Sequence, residues 1–358
     1  MKRSTRKLIF LGFFLFFLII TPGVILYATG YSFDWENRHF FKTGSLFLRS
    51  LPSGAQIKID GELSGKTPAY INRLNPDPYQ IEVSKNGFFT WQKKLIVQEQ
   101  ITTEARNILL VPQKPLTRLA NTNVTSTKEY FLTQQEKDAQ KQAIMVASST
   151  IRDFLSFSVY KNNIYYIQNS NLVLYRTDLS GNGKEQISLQ SLPKPAKSYE
   201  ITISPEQIAV FEPGGQLFIL DKQTKTFNPL ADEIQGIEFS SDNQKILFWS
   251  EHEIWVLWLK DAWVQPYRKT GENELLTRYS DKITQAVWVT KTNEHIIYSA
   301  AGPDGQAQIK ITELDGREQR NTFNLYSAQN PEIYWNKNED LLYILIDNSL
   351  FSLSLINS

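Results

Sequence analysis

One unit recurs along the C-terminal part of the chain, and it limits the fold more than any other feature of the sequence. In each copy an aromatic or apolar residue closes a strand, a polar turn follows, and a strongly β-prone run comes next. The copies begin at Phe157, Ile203, Phe239, Trp288 and Trp335. Their separations of 46, 36, 49 and 47 residues are typical of a four-stranded propeller blade with loops of variable length.

An array of this kind predicts a β-propeller, because radial repetition leaves only short strand edges unpaired. A pair of stacked sandwiches is the alternative. The units also resemble those of TolB-type propellers, in which a Ser-Pro-Asp-Gly-Lys turn recurs, and residues 204–206 and 240–243 stay near that form. We expect a mainly β chain with five recognisable blades over residues 151–358. Residues 113–150 are then a linker, a degenerate sixth blade, or the source of the strand that closes the ring.

The N-terminus indicates a membrane anchor. Four cations come first: Lys2, Arg3, Arg6 and Lys7. An uncharged run over residues 8–28 follows, and about 20 helical residues at ~1.5 Å each cross the core of a bilayer. Because cations favour the cytoplasmic side, we expect a cytoplasmic stub over residues 1–7 and a signal-anchor helix over residues 8–29. The rest of the chain would then lie outside a plasma membrane crossed once.

A cleaved signal peptide is the alternative to an anchor. The apolar segment of such a peptide is about 7–15 residues long and ends in a small-x-small site. Here the run is longer, and Ala28-Thr29-Gly30 is a weak cleavage site. The length of the run therefore favours an uncleaved helix.

The next segment, residues 30–43, is rich in aromatic side chains. They are Tyr31, Phe33, Trp35, Phe40 and Phe41. Aromatic residues at this position anchor a chain in the membrane interface. Alternatively, they form a first strand that docks on the following domain.

The stretch "DGELSGKTP" over residues 60–68 has part of the pattern of a phosphate-binding loop. A Walker loop requires G-x-x-x-x-G-K-[ST] running into a helix. Its first Gly would be residue 60, which is Asp60, and Gly61 is one residue too close. Thr67 precedes Pro68, and a residue before proline is pushed out of the helical region. The pattern therefore favours turns over a nucleotide site.

Residues 44–112 alternate as short strands broken by turns. Asp60-Gly61 between alternating apolar residues predicts a hairpin, and a second turn is expected at Gly65. Tyr79, Ile81 and Val83 alternate with polar residues before another turn.

This segment resembles a PEGA domain, named after a turn that here reads Pro52-Ser53-Gly54-Ala55. It departs from the family at Asn75-Pro76-Asp77-Pro78, where a Gly usually precedes the tyrosine. The resemblance implies a small β-sandwich of bacterial surface proteins that binds or spaces without catalytic residues. Its expected turn positions are Pro52, Gly54, Asp60, Gly61, Gly65, Pro68 and Gly87.

Composition excludes several classes of protein. With 38 basic and 37 acidic residues the net charge is +1, which provides no concentrated basic face for nucleic acid. The absence of Cys excludes disulfides, thiolate nucleophiles and Cys-ligated zinc. The histidines, His39, His252 and His295, lack metal-ligand spacing. We expect no metal, cofactor, nucleotide or nucleic acid.

Catalytic patterns are scarce. Neither G-x-S-x-G nor H-E-x-x-H occurs. A glycosidase needs two facing carboxylates, and two pairs are close in sequence, Glu251/Glu253 and Glu339/Asp340. Acids in turns, such as Asp242, usually accept hydrogen bonds from backbone amides. We therefore expect no enzyme, with a hydrolase whose site lies in the propeller mouth as the alternative.

Tryptophans divide into two groups. Trp249, Trp288 and Trp335 lie in predicted strands and are expected to pack between blades. Trp255 and Trp258 should point to opposite faces of one strand, which would leave one of them exposed.

Residues 263–268 are a better candidate for contact with a ligand. Trp263, Tyr267 and Arg268 lie on a connection between strands, and aromatic and Arg side chains dominate many binding surfaces. The alternative is that the loop aromatics pack against their own blade.

The sequence thus predicts a membrane-anchored, extracytoplasmic binding or scaffold protein. One expected partner is the membrane. The other is an envelope polysaccharide such as peptidoglycan or, alternatively, other surface proteins. A sensor is a third hypothesis, but a stub of about seven residues is too short for an output domain.

Overall fold

The structure is a computed structural model and describes residues 3–35, 38–114, 116–119 and 124–356. The first two residues of the predicted stub, and residues 115 and 120–123 of the predicted linker, lie outside this part. Contacts divide the chain into two compact units. They are Met1–Gln113 with Arg317–Gln319, and Lys114–Gly316 with Arg320–Ser358. As the sequence predicts, the chain is mainly β.

The first unit begins with the helix α1 (Arg3–Ala28). Its segment Thr5–Ala28 is long and apolar enough to cross a membrane. The Thr29 hydroxyl donates to the carbonyl of Leu26 at 3.1 Å, which satisfies one of the acceptors left free at a helix end.

The aromatic segment after α1 forms a short hairpin of its own. Strand β1 (Tyr31–Asp34) pairs antiparallel with β2 (His39–Lys42). The Phe33 ring meets the rings of Trp35 and Phe40 edge-on at 4.9 Å. The described part of this segment is therefore a two-stranded ribbon, and the sandwich that follows builds its sheets without it.

The sandwich has two sheets. Its strands are β3 (Gly44–Leu51), β4 (Gln56–Ile59), β5 (Glu62–Lys66), β6 (Ala69–Leu74), β7 (Pro78–Ser84), β8 (Trp91–Ile96) and β9 (Thr102–Leu109). One sheet has the order β6-β3-β9 and the other β5-β4-β7-β8. The predicted alternation holds, because Ile81 and Val83 are fully buried. They share one core with Leu46 and Leu48 of the facing sheet and with Trp91.

The turns of the sandwich follow its glycines, with one exception. Asp60 and Gly61 have φ values of 49° and 84°, the two positive angles that a tight hairpin turn requires. Gly54 and Gly87 also have positive φ, at 76° and 81°. Pro52 lies in the bend before Gly54, and Pro68 in the bend between β5 and β6.

Gly65 is the exception, since it lies inside β5 rather than in a second turn. Its φ is 135°, and the pairing of β4 with β5 shifts register between Ile57 and Lys58. An extra residue in one strand produces such a bulge, and glycine accommodates the unusual angle.

The described part of the second unit forms four antiparallel sheets, three with four strands and one with seven. The seven-stranded sheet supplies two blades, because one long strand runs through both, so the unit has five four-stranded blades in all. Blade 1 consists of β11 (Ser156–Tyr160), β12 (Asn163–Ile167), β13 (Leu174–Asp178) and β14 (Glu185–Gln186). Blade 2 consists of β15 (Glu200–Ile203), β16 (Ile208–Phe211), β17 (Gly215–Asp221) and the first part of β18 (Thr226–Phe239). Blade 3 consists of the second part of β18 with β19 (Lys245–Ser250), β20 (Glu253–Trp258) and β21 (Asn273–Arg278).

Blade 4 consists of β22 (Lys282–Trp288), β23 (His295–Ala301), β24 (Gln306–Glu313) and β25 (Thr322–Gln329). Blade 5 consists of β26 (Glu332–Asn336), β27 (Leu341–Ile346) and β28 (Ser349–Ser354), with β10 (Thr117–Arg118) as its outer strand. Because the first strand of the unit completes the last blade, residues 113–150 supply the strand that closes the propeller. Each repeat identified in the sequence begins on the first strand of one blade.

Where the structure describes it, the segment between β10 and blade 1 is mainly helical and forms no sixth blade. It contains α2 (Thr127–Phe131), α3 (Gln134–Val146) and one π-helical turn (Ala147–Ile151). Thr133 and Glu136 form a capping box that starts α3, which satisfies amides at the helix N-terminus. The Phe131 ring stacks 4.7 Å from that of Tyr334 in blade 5, while α3 buries Val146 against blade 1.

Tryptophans form much of the packing between blades, as expected. Trp249, Trp288 and Trp335 are 8%, 0% and 6% exposed. The exposed tryptophan expected on β20 is absent, because Trp258 is buried and Trp255 is half-buried with its ring stacked on Phe248.

Candidate ligand-binding face of the propeller

A long hairpin joins β20 to β21 in blade 3. Its base continues the strand pairing, since the Gly271 amide donates to the Trp258 carbonyl at 2.8 Å. Further out, Ala262 and Arg268 exchange two backbone hydrogen bonds, at 2.8 and 3.2 Å. Residues 259–272, the blade 3 hairpin, are therefore held at two levels, and residues 263–267 form a closed tip.

The tip presents apolar side chains. Trp263 is 81% exposed, Tyr267 63% and Val264 42%. The loop aromatics do not pack against their own blade, as the alternative interpretation required. Rigid aromatic side chains lose little conformational entropy on binding, so this tip is suited to contact with another molecule.

Arg268 has a different role from the one expected. Its guanidinium donates to the Glu274 carboxylate at 2.7 Å, pairs with Glu272 at 3.2 Å, and lies 5.2 Å from the Trp258 ring centroid. Only 16% of its side chain is exposed. Arg268 therefore holds the base of the blade 3 hairpin and leaves Trp263 and Tyr267 as the accessible contacts.

A cavity of about 330 Å³ lies between blades 1 and 2. We call it the basic cavity, because its charged lining residues are Lys161, Arg176, Lys222, Lys225 and Glu185. Arg176 forms an ion pair with Glu185. Among the described residues, no acidic side chain forms an ion pair with any of the three lysines. The lining thus carries an unbalanced positive charge.

The basic cavity and the blade 3 hairpin lie at the same end of their blades. In an antiparallel meander, the turn after the first strand and the turn after the third lie at one end. Lys161 lies on a first-strand turn, Lys222 and Lys225 lie on a third-strand turn, and the blade 3 hairpin is a third-strand turn. Lys260 of the hairpin pairs at 2.6 Å with Glu206, which follows Ser204 and Pro205 in the cavity wall.

A second cavity, of about 750 Å³, is lined by residues of blades 2 and 3. Its titratable lining residues are Asp232, Glu233, Glu251, His252 and Glu253, and we call it the acidic cavity. The structure thus brings the pair Glu251/Glu253 and one of the three histidines into one concave surface. The other pair, Glu339/Asp340, lies on a turn of blade 5, outside both cavities.

Both carboxylates of this pair are already engaged. Glu251 pairs with Lys282 at 3.0 Å. The indole of Trp255 donates to Glu253 at 2.9 Å and Arg278 donates to it at 2.7 Å. These contacts, the Trp255 hydrogen bond first, hold the pKa of Glu253 below its usual value. General acid catalysis requires the opposite change.

Two carboxyls with raised pKa values lie away from both cavities. Burial raises the pKa of Glu238 to about 8, although the Trp288 amide donates to it at 3.1 Å. Burial also raises the pKa of Glu294, and the ammonium of Lys245 at 2.9 Å opposes this change. Both acids connect blades 3 and 4, so their contacts are those of packing between blades.

The remaining polar candidates have local partners. Asp242 accepts from the Gln244 amide at 3.0 Å, as expected of an acid in a turn. His295 is buried, with Nδ1 3.1 Å from the Thr292 hydroxyl, and His39 lies on β2. Within the described ranges, no group of three His, Cys, Asp or Glu residues could hold a metal ion.

Sequence reasoning missed the three cavity lysines. Lys161 is about sixty positions from Lys222 and Lys225, and nothing in their spacing shows that blades 1 and 2 bring them together. A weak signal was present for Lys161 alone, which lies in the polar turn of a recurring unit, whereas Lys222 and Lys225 lie in a later turn of their blade.

A membrane-length helix, a small sandwich and a five-bladed propeller with exposed aromatic side chains are the features of a binding or scaffold module. Residues 43–111 match the PEGA domain family, which confirms the resemblance over the sandwich. The search of curated proteins found no match for the chain.

Among solved structures, the chain is similar to Hsv2p from Kluyveromyces lactis, with 13% identity over 81% of this chain and 71% of that chain and a TM-score of 0.40. It is also similar to YCF48 from Cyanidioschyzon merolae, with 11% identity over 86% of this chain and 98% of that chain and a TM-score of 0.40. At these values no functional argument follows from either neighbour, and neither distinguishes a TolB-type propeller from other propellers.

Proposed function

We propose that this chain is a single-pass membrane protein that displays its sandwich and a TolB-type propeller outside the bacterial cytoplasm and binds an envelope polymer without catalysis. The blade 3 hairpin carries the proposal. Its tip exposes Trp263, Val264 and Tyr267, while Arg268 and its partner Glu274 hold the base in place.

The orientation follows from charge and hydropathy. The helix α1 can cross a membrane by length and composition, and cations precede its apolar part. By the positive-inside rule these cations stay in the cytoplasm. The two β units would then lie on the outer side, where peptidoglycan and other polysaccharides are accessible.

The binding role is supported by the geometry of the hairpin. Exposed aromatic side chains on a rigid support bind flat, partly apolar surfaces such as sugar rings and pay little entropy for it. The acidic cavity offers a weaker case for hydrolysis, because the pKa of Glu253 is lowered.

The test is cosedimentation of the full chain, in detergent micelles, with isolated cell walls. We expect retention that falls at least about tenfold in the double variant Trp263→Ala/Tyr267→Ala, since hot-spot aromatics contribute ~2 kcal/mol or more. The matched control is Tyr326→Ala, which removes an exposed aromatic residue (39%) on β25. Equal retention of all three proteins would contradict the proposal.

A scaffold for surface proteins is the second candidate, and the same preparation tests it. The scaffold role would be favoured if the protein captures one defined envelope protein and is not retained by the wall. That capture should be lost in the hairpin double variant. The proposed topology has its own test. Protease added to intact cells should digest a C-terminal epitope, and protection of that epitope would place the propeller inside.

A further inference from the structure

Resting on the proposed function, we infer that the basic cavity between blades 1 and 2 binds an acidic sugar unit of the polymer, one that carries a carboxylate or a phosphate. The blade 3 hairpin then contacts the same chain a short distance away. Three properties of the cavity favour such a ligand: its charge, its apolar floor and the turns that carry its lysines.

The charge of the basic cavity is strongly unbalanced for a protein whose net charge is +1. Arg176 and Glu185 neutralise each other. Lys161, Lys222 and Lys225 remain, all exposed and, within the described part of the chain, without an ion pair. Three like charges around one concavity repel each other, and a bound anion relieves this repulsion.

The floor of the basic cavity is apolar. It is lined by Tyr165, Ile187, Ile203, Ile208 and Leu220. A volume of about 330 Å³ lies at the lower end of the range for small-ligand pockets. An apolar floor beneath a cationic rim suits a ring that has a C–H face and one ionised substituent. A free inorganic anion would leave the floor uncovered.

Backbone conformation fixes the points at which the lysine side chains leave the chain. Lys161 and Lys225 have φ values of 53° and 54°, left-handed positions at which the turn determines the direction of the side chain. The Asp221 carboxylate accepts from the Gln223 and Thr224 amides at 2.7 and 3.1 Å. This acid is therefore occupied by its own turn, which also carries Lys222. The turns therefore fix where the three cations are attached around the cavity, while their flexible side chains can adjust to a bound anion.

The neighbouring hairpin favours a sugar polymer over an acidic peptide. The ion pair between Lys260 and Glu206 connects the hairpin to the turn that lines the basic cavity. A polymer that places one acidic ring in the cavity therefore reaches the exposed rings of Trp263 and Tyr267. Aromatic faces pack on sugar rings along a chain, whereas a single acidic side chain would use only the cavity.

The test uses four probes and the full chain in micelles. Three probes share one backbone and one length: dextran, carboxymethyl-dextran and dextran phosphate. The fourth is polyglutamate. The variant is Lys161→Gln/Lys222→Gln/Lys225→Gln, which removes the charges and leaves polar side chains that are one atom shorter. The matched control is Lys194→Gln/Lys197→Gln/Lys337→Gln, which removes the same charge from exposed lysines outside the cavity lining.

We expect at least one of the two charged dextrans to bind more tightly than neutral dextran. The cavity variant should lose about tenfold in this affinity, as three exposed charge contacts would supply, and the control should lose less than twofold. Because salt screens these contacts, the difference should shrink between 50 mM and 500 mM NaCl. The stronger of the two charged dextrans identifies the anionic group.

Three results would overturn the inference: equal losses in the two lysine variants, no preference for charged dextran, or tighter binding of polyglutamate than of either charged dextran. The last would indicate a site for acidic peptides. This experiment is separable from the test of the proposed function. If the hairpin double variant loses retention by cell walls and the cavity variant does not, the proposed function stands and the inference about the cavity fails. If charged dextran binds in a manner that depends on the three lysines but cell walls do not retain the protein, the cavity is an anion site and the proposed function fails.

Discussion

Replacing Glu238 by Gln should make the stability of the propeller less dependent on pH between 6 and 9. Burial raises the pKa of this carboxyl from 4.5 to about 8. The folded state therefore holds the proton more tightly than the unfolded state. Stability from this group is fully present below pH 4.5 and is lost as the pH rises through about 8.

The magnitude follows from the pKa difference. Each pH unit over which only the folded state holds the proton corresponds to about 1.4 kcal/mol, so the loss between pH 6 and pH 9 has an upper limit of about 3 kcal/mol. Because Glu238 is half-buried and not fully enclosed, we expect about 1–2 kcal/mol. Gln keeps the shape and an oxygen for the Trp288 amide, but it does not titrate.

The assay is urea unfolding of the full chain in micelles at pH 6 and pH 9, followed by tryptophan fluorescence. Six of the eight tryptophans lie in the second unit, so the signal reports mainly on the propeller. The wild-type protein should lose about 1–2 kcal/mol more than Glu238→Gln over this interval. The histidines are common to both proteins and cancel in the comparison. An equal loss in the two proteins would refute the assignment.

Three further substitutions test the packing. Lys245→Met leaves the half-buried Glu294 carboxylate without its ion pair and should destabilise the propeller by about 1–2 kcal/mol in urea unfolding, with most of this recovered on adding Glu294→Gln. Additive losses in the double variant would contradict this. Gly236→Ala places a Cβ 2.3 Å from the Trp249 ring. The overpacking should lower the free energy of unfolding by about 2 kcal/mol, again measured by urea unfolding. An unchanged unfolding midpoint would mean that the ring moves freely. Gly61 has a φ of 84°, so Gly61→Ala should lower the stability of the sandwich by about 1 kcal/mol in thermal unfolding. Gly61→Asn should lower it clearly less, because Asn tolerates a positive φ better than Ala. Equal losses would show that the turn angle is not the cause.

Several elements could be predicted from short windows of sequence, because their causes are local. Asp60-Gly61 forms a hairpin turn since both residues accept positive φ. The recurring strand–turn–strand unit marks the first strand of each blade. The start of α3 also has a local cause, since Thr133 and Glu136 form a capping box at the three-residue spacing that predicts a helix start.

The candidate face was predictable only in part. Trp263 and Tyr267 stand out in sequence as aromatic residues on a connection, and the structure exposes both. Arg268 looks equally suitable in sequence, but its partner Glu274 is on the returning strand. Only the pairing of β20 with β21 determines that this cation supports the hairpin.

The sequence by itself determined the membrane-length helix, the position of the strands and most of the turns, because hydrophobic length, alternation and turn chemistry act within a few residues. Only the tertiary structure decided which turns become neighbours. Lys161 meets Lys222 and Lys225 in one cavity because consecutive blades pack side by side. That packing depends on buried surfaces between sheets, to which residues far apart in the chain contribute.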